Sequence, residues 1–296
     1  MKITLAIASA LLLGTASAYA ADIILPPAPA PAPASNFWGV GEIGVIGYSG
    51  AQSEDDEYAM LGGGYGAFAL WADMGGLVVG LDGYGEILGL NDDTEDYFPG
   101  GVGVIGGHIG TGLGGGYVGV FGAYGATPDS GNDEWQGGWA VGVEGLADFS
   151  TVSLFGKLGY ADVRTDEEDS GFTGTFGEIG AMFALTPEFA LQTSFGAGYA
   201  PENFADESED DDGYYLTAGI KGAYQLPTDF ALALTASYDI GAYGGIEESD
   251  WSINHTVKVG LAIPFGGRYG DARDALNPLA TPTAPFRAGS WGDFLD

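Results

Sequence analysis

Cysteine is absent from the 296 residues, histidine occurs only at His108 and His255, and eight lysines and arginines stand against 41 acidic side chains, for a formal net charge of −33. Without cysteine no disulfide can staple the chain, so stability must come from burial or from a sheet closed on itself. The shortage of positive charge excludes a phosphate-binding surface, and with it nucleic acid as a partner. Two histidines with no zinc spacing, no Ser/His/Asp order and no phosphate loop leave no set of catalytic groups. The expectation is therefore no enzyme, no metal site and no cofactor. Long apolar runs are scarce as well. Residues Ile3 to Gly14 are too short to span a bilayer as a helix. The uncharged stretch Gly100 to Thr127 is so dense in glycine that a helix there would lose roughly 1 kcal/mol per glycine, and it is expected to form two glycine-rich strands.

What is present is alternation. From Tyr214 the even positions run Tyr214, Leu216, Ala218, Ile220, Gly222, Tyr224, and the odd ones Tyr215, Thr217, Gly219, Lys221, Ala223, Gln225. After Pro227-Thr228-Asp229 the pattern resumes, with Phe230, Leu232, Leu234, Ala236, Tyr238 and Ile240 on one side. Period two repeated on both sides of a short connection is a β-hairpin. Each arm is about twelve residues long, against about five or six for an ordinary soluble strand and ~9–11 for a tilted strand crossing a bilayer.

The N-terminus fits export. Lys2, the apolar core Ile3–Gly14 and the small-x-small sequence Ala18-Tyr19-Ala20 predict a cleaved signal peptide over 1–20. Residues 21–35, ADIILPPAPAPAPAS, cannot supply a strand ladder and are expected to be an extended linker.

Beyond it, acidic islands alternate with nearly uncharged stretches. These islands are Glu54–Glu57, Asp92–Asp96, Asp129–Glu134, Asp166–Asp169, Glu202–Asp212 and Glu247–Asp250. Between them the chain reads strand, short turn, strand. The predicted fold class is all-β, a transmembrane up-and-down antiparallel barrel over 36–265 with twelve strands, a count of ten or fourteen staying open around Gly100–Thr127. Acidic loops alternating with tight turns put the loops outside the cell and both termini in the periplasm, with a periplasmic tail over 266–296. Aromatics at the turn ends (Trp71, Phe149, Phe189, Phe230, Phe265) and at the loop ends (Tyr48, Tyr58, Trp139, Tyr160, Tyr199, Tyr214, Tyr243, Trp251) are expected to mark two membrane interfaces.

The signal ending Ala-Tyr-Ala, the Pro-Ala start and Phe37-Trp38-Gly39-Val40 entering a glycine- and aromatic-rich barrel resemble the outer-membrane β-barrel proteins of alphaproteobacteria, including their porin-like members. The resemblance implies residence in the outer membrane, lipid as the surrounding solvent, insertion by the barrel-assembly machinery through a terminal aromatic, and a trimer if the chain follows larger porins. Phe265 fits the place of that aromatic, yet the chain runs on to Phe294-Leu295-Asp296.

Charged groups in a barrel wall must face water or a partner, because a lysine facing mid-bilayer lipid costs ~2–4 kcal/mol and an acid somewhat less. On the alternation, Glu42, Asp82, Glu86, Glu144, Asp148, Glu178, Gln192 and Asp239 face inward, together with Lys157, Lys221 and Lys258. They are the candidate pore-lining residues; paired with one another, they would instead fill the interior. His255 points outward and the facing of His108 is undetermined. An excess of acids over lysines predicts a passive, weakly cation-selective channel for small solutes. The alternative is a closed barrel whose acidic loops contact lipopolysaccharide, divalent cations or a protein partner. Inward loops, the tail 266–296 or aromatics such as Tyr84 and Tyr215 are able to fill the passage.

Overall fold

Most of the alternating stretches form sheet. The structure, a computed structural model, describes residues 36–51, 58–89, 101–128, 135–164, 171–201, 212–245 and 252–289. The expected signal peptide, the Pro-Ala linker, Trp251, Phe294-Leu295-Asp296 and all of the acidic islands but Asp212 lie outside the described residues. Among these residues are twelve strands: β1 (Phe37–Ala51), β2 (Tyr58–Asp73), β3 (Leu77–Leu88), β4 (Gly103–Gly112), β5 (Gly116–Pro128), β6 (Trp135–Phe149), β7 (Val152–Arg164), β8 (Gly171–Ala184), β9 (Phe189–Ala200), β10 (Gly213–Gln225), β11 (Ala233–Gly245) and β12 (Ser252–Phe265). Each pairs antiparallel with its sequence neighbours, and β1 pairs with β12 from Gly39↔Phe265 to Gly50↔Asn254, closing the barrel. Closure removes both sheet edges, which answers the absence of disulfides.

The tight turns are built by local chemistry. Between β2 and β3, Asp73 Oδ1 accepts from the N–H groups of Gly75 (3.0 Å) and Gly76 (2.8 Å). Gly75 and Gly76 sit at φ 80° and 102°, where a Cβ would be strained. Between β8 and β9, Thr186 Oγ1 accepts from the N–H groups of Glu188 and Phe189. The β10–β11 connection is longer than the sequence predicts. Leu226 N–H donates to Leu232 O, so Phe230 and Leu232 fall in the turn and β11 starts at Ala233.

Facing follows parity. Ile43, Val45, Ile87, Leu158 and Ile179 point outward and are each more than 60% exposed, forming part of an apolar belt. Trp139, Tyr160 and Tyr199 join it near the loop ends, and Phe149 and Phe265 near the turn ends. Trp71, Tyr48 and Tyr243, expected at the interfaces, face the interior instead. Each shares parity with inward neighbours and packs in an interior cluster. Near the loop end His255 points outward as expected, with its Nδ1 2.7 Å from Tyr238 Oη. No helix of the described residues is long and apolar enough to cross a membrane, so any crossing is by strands of ten (β4) to sixteen (β2) residues.

If the belt faces lipid, Leu158→Arg, halfway along β7, costs about 2–4 kcal/mol in a bilayer unfolding equilibrium. On a water-facing surface the same substitution stays within about 0.5 kcal/mol.

Candidate functional site: the lumen and the C-terminal tail

All of the wall residues expected inside are there, and much of what they touch is the tail. The chain turns at Gly266, enters the lumen from the turn end and climbs it through a 3-10 turn (Ala272–Ala275), an irregular run and a short helix, α1 (Ala284–Gly289). Six of the chain's eight lysines and arginines lie in this interior: Lys157, Lys221, Lys258, Arg268, Arg273 and Arg287. The tail expected as a periplasmic extension thus supplies three interior cations, Arg268, Arg273 and Arg287.

At the turn end Arg268 pairs with Asp148 at 2.6 Å and Arg273 donates to Ser150 O at 2.7 Å. Asp274 folds this segment by accepting from the N–H groups of Arg268, Tyr269 and Gly270, each at 2.8 Å. Burial raises the Asp274 pKa above the usual carboxylate range, against those three donors. Above them Ala272, Ala275, Leu276 and Leu279 are buried with Trp71, Tyr117, Phe155 and Met182.

At mid-height the tail meets charges. Lys157 Nζ donates to Pro278 O (3.2 Å) and Ala280 O (2.7 Å), with Glu178 at 3.9 Å. Asp82 accepts from Thr281 N–H (2.5 Å) and Thr281 Oγ1 (2.8 Å). His108, whose facing alternation left open, joins two wall acids. Its Nε2 lies 3.2 Å from Asp82 and its Nδ1 2.9 Å from Glu144, which also accepts from Tyr117 Oη. Carboxylates at both ring nitrogens are satisfied together by the doubly protonated ring.

Toward the loop end Phe286 is fully buried and Arg287 pairs with Glu86 at 2.6 Å, Glu86 also accepting from Tyr84 Oη. Two glycines make room for the tail. A Cβ at Gly106 would lie 1.9 Å from Thr281 Oγ1, and one at Gly125 2.5 Å from the Phe286 ring. Burying a phenylalanine side chain contributes about 1.5–3 kcal/mol.

The lumen is two-sided. Helix α1 lies against β5, β7 and β8, where Phe121, Ala161, Val163, Phe172 and Phe176 form an apolar half-wall. The opposite half, β9 to β12, is polar at mid-height. Gln192, Lys221, Ser237 and Lys258 are consecutive cross-strand partners, as are Ser194, Gly219, Asp239 and Thr256 in the next row. Between this half and the tail lies a cavity of about 230 Å³, and toward the loop end one of about 150 Å³; Glu178, Ser194, Asp239, Lys258, Pro282 and Thr283 line both.

The wall acids differ in how they are held. Glu42 is bound by Lys221 Nζ (2.5 Å), Thr235 Oγ1 (2.6 Å) and Tyr65 Oη (2.8 Å). Glu178 and Asp239 are held more loosely, by ion pairs to Lys157 at 3.9 Å and Lys258 at 3.7 Å and, for Asp239, a 3.4 Å hydrogen bond from Ser237 Oγ, with side chains 23% and 44% exposed. Gln192 Oε1 and Asn254 Nδ2 have no protein hydrogen-bond partner and belong to residues lining the cavities, a placement suited to a polar occupant.

No family model and no curated protein matches the chain. Solved structures do. An outer membrane channel from Pseudomonas putida F1 aligns with TM-score 0.55 and 11% identity over 81% of this chain and 100% of its own. The translocator domain of the autotransporter NalP from Neisseria meningitidis gives 0.45 and 15% over 78% and 89%. An anion-selective porin from Comamonas acidovorans gives 0.39 and 11% over 78% and 100%. The P. putida likeness supports the barrel fold and carries nothing further.

His108→Ala leaves two buried carboxylates facing one another, which costs about 3–5 kcal/mol. A urea unfolding series in lipid should show that loss, and adding Asp82→Asn with Glu144→Gln should restore part of it.

Proposed function

We propose that the chain is an outer-membrane diffusion channel, narrow and weakly cation-selective, passing ions and small polar solutes beside its own tail. The observation that carries this reading is the pair of adjoining polar cavities along β9–β12. Glu178 and Asp239 line both and are the loosely paired acids of the wall, so they set the charge preference. Glu42, Asp82, Glu86, Glu144 and Asp148 are occupied by close partners and hold the wall and tail together. In this proposal the short turns and both termini face the periplasm, and the acidic loops face outward toward lipopolysaccharide. The assembly machinery inserts the barrel, and the chain catalyses no reaction.

A closed structural or surface-interaction barrel is the second reading. The observation favouring it is the amount of lumen the tail fills, with Leu276, Leu279 and Phe286 all buried.

Planar-bilayer recording of the refolded mature protein in a KCl gradient separates the two. The channel reading predicts small discrete steps with a cation-biased reversal potential. That bias should fall toward zero in a Glu178→Gln, Asp239→Asn variant and persist in Glu144→Gln. Silence from protein shown to be folded and inserted establishes the closed barrel.

A further inference from the structure

Two opposite charges on the polar half-wall are left short of hydrogen bonds by the protein itself. Lys258 Nζ lies 3.7 Å from Asp239 Oδ2, beyond hydrogen-bond reach, and 4.9 Å from the Tyr84 ring centre. Among the described residues no oxygen accepts a hydrogen bond from it, although its side chain is only 19% exposed. Each of the other five interior lysines and arginines donates a hydrogen bond of 2.5–2.7 Å. Asp239 is in the matching position. Its Oδ2 has the long 3.4 Å bond from Ser237 Oγ, and its Oδ1 accepts none among the described residues. That oxygen lies over Gly219, where a Cβ would stand 2.4 Å from it and 3.1 Å from Ser194 Oγ. Glycine at this position gives the carboxylate its room against the strand.

An ammonium and a carboxylate largely out of water and short of partners call for an occupant that supplies an acceptor to one and a donor to the other. Both groups line both cavities, so one molecule reaches them together. They stand on neighbouring strands, Lys258 opposite Ser237 and Asp239 two residues further along β11. A carboxylate and an ammonium carried on one carbon match that spacing, and charged partners make the stronger hydrogen bonds. We infer that Lys258 and Asp239 form a saturable site for a small α-amino acid, whose carboxylate accepts from Lys258 Nζ and whose ammonium donates to Asp239 Oδ1. One zwitterion satisfies both charges while losing its translational freedom once, where separate ions lose it twice. At about 30 Å³ per liquid water, the larger cavity, about 230 Å³, has room for a solute the size of alanine. The inference rests on the channel reading above, since the solute reaches the site along the passage, and a molecule of no net charge is not held back by a cation preference.

The test is calorimetric titration of the refolded protein in detergent at low salt with three probes. These are L-alanine, L-lactate, which lacks the ammonium, and isopropylamine, which lacks the carboxylate. The expected result is saturable binding of alanine with a Kd on the order of 1 mM, weak enough for release. Either single-charge analogue should bind at least about tenfold more weakly. Lys258→Met and Asp239→Asn, each first shown to keep the folded electrophoretic mobility, should each weaken alanine binding by a similar factor. No saturable alanine binding, equal binding of either analogue, or unchanged affinity in either variant overturns the inference. The analogue comparison uses the wild-type chain and decides the matter even where a variant does not fold. Conductance is recorded separately on the same protein. Steps without alanine binding overturn the inference and leave the channel reading standing, whereas alanine binding without steps overturns the channel reading and leaves the site. Absence of both overturns both.

Discussion

A closed wall of twelve strands encloses more space than its own inward side chains can fill. Eight strands leave an interior that side chains just occupy, and sixteen or more leave an open aqueous pore. This chain lies between, and the rest of its structure depends on what takes up the difference. The tail takes up part of it, leaving the two cavities beside it. Gly106 and Gly125 lie where any side chain would strike the tail, and Asp82 gives both of its oxygens to Thr281. Wall and tail are therefore shaped to each other.

The scarcity of positive charge then acquires a structural meaning. A chain with eight lysines and arginines has placed six of them inside the barrel, each on or near a carboxylate or a tail carbonyl. Unpaired, those acids would repel one another in an enclosed space. Paired, most become structural, and in the channel proposed above the charge left to act on a permeating ion narrows to Glu178 and Asp239. Acid in the loops and neutralised charge in the lumen are thus two separate populations, which a net charge of −33 alone does not distinguish.

The strands and the facing of the wall charges were legible in the sequence because a charged residue within an apolar alternation declares its own parity. His108 was not, since Val104 and Ile105 are adjacent and both apolar, and glycines flank them on both faces. Extending the parity of Ile105 and Ile109, both exposed, would have turned His108 inward toward Asp82 and Glu144. Trp71, Tyr48 and Tyr243 stand at strand ends, where aromatics mark an interface, but their parity turns them inward. In the sequence the tail is one of several possible fillers. Its seat is visible only in three dimensions, because the signals are glycines in β4 and β5 and acids in β3 and β6, far along the chain from the tail residues they accommodate.

Limited trypsin digestion of the folded protein in detergent is the most direct check on the inserted tail. Arg268, Arg273 and Arg287 are cleavage points inside the lumen, and with the tail seated they should resist trypsin until the barrel itself unfolds. Cleavage after Arg273 or Arg287 while the barrel keeps its folded electrophoretic mobility would contradict the account.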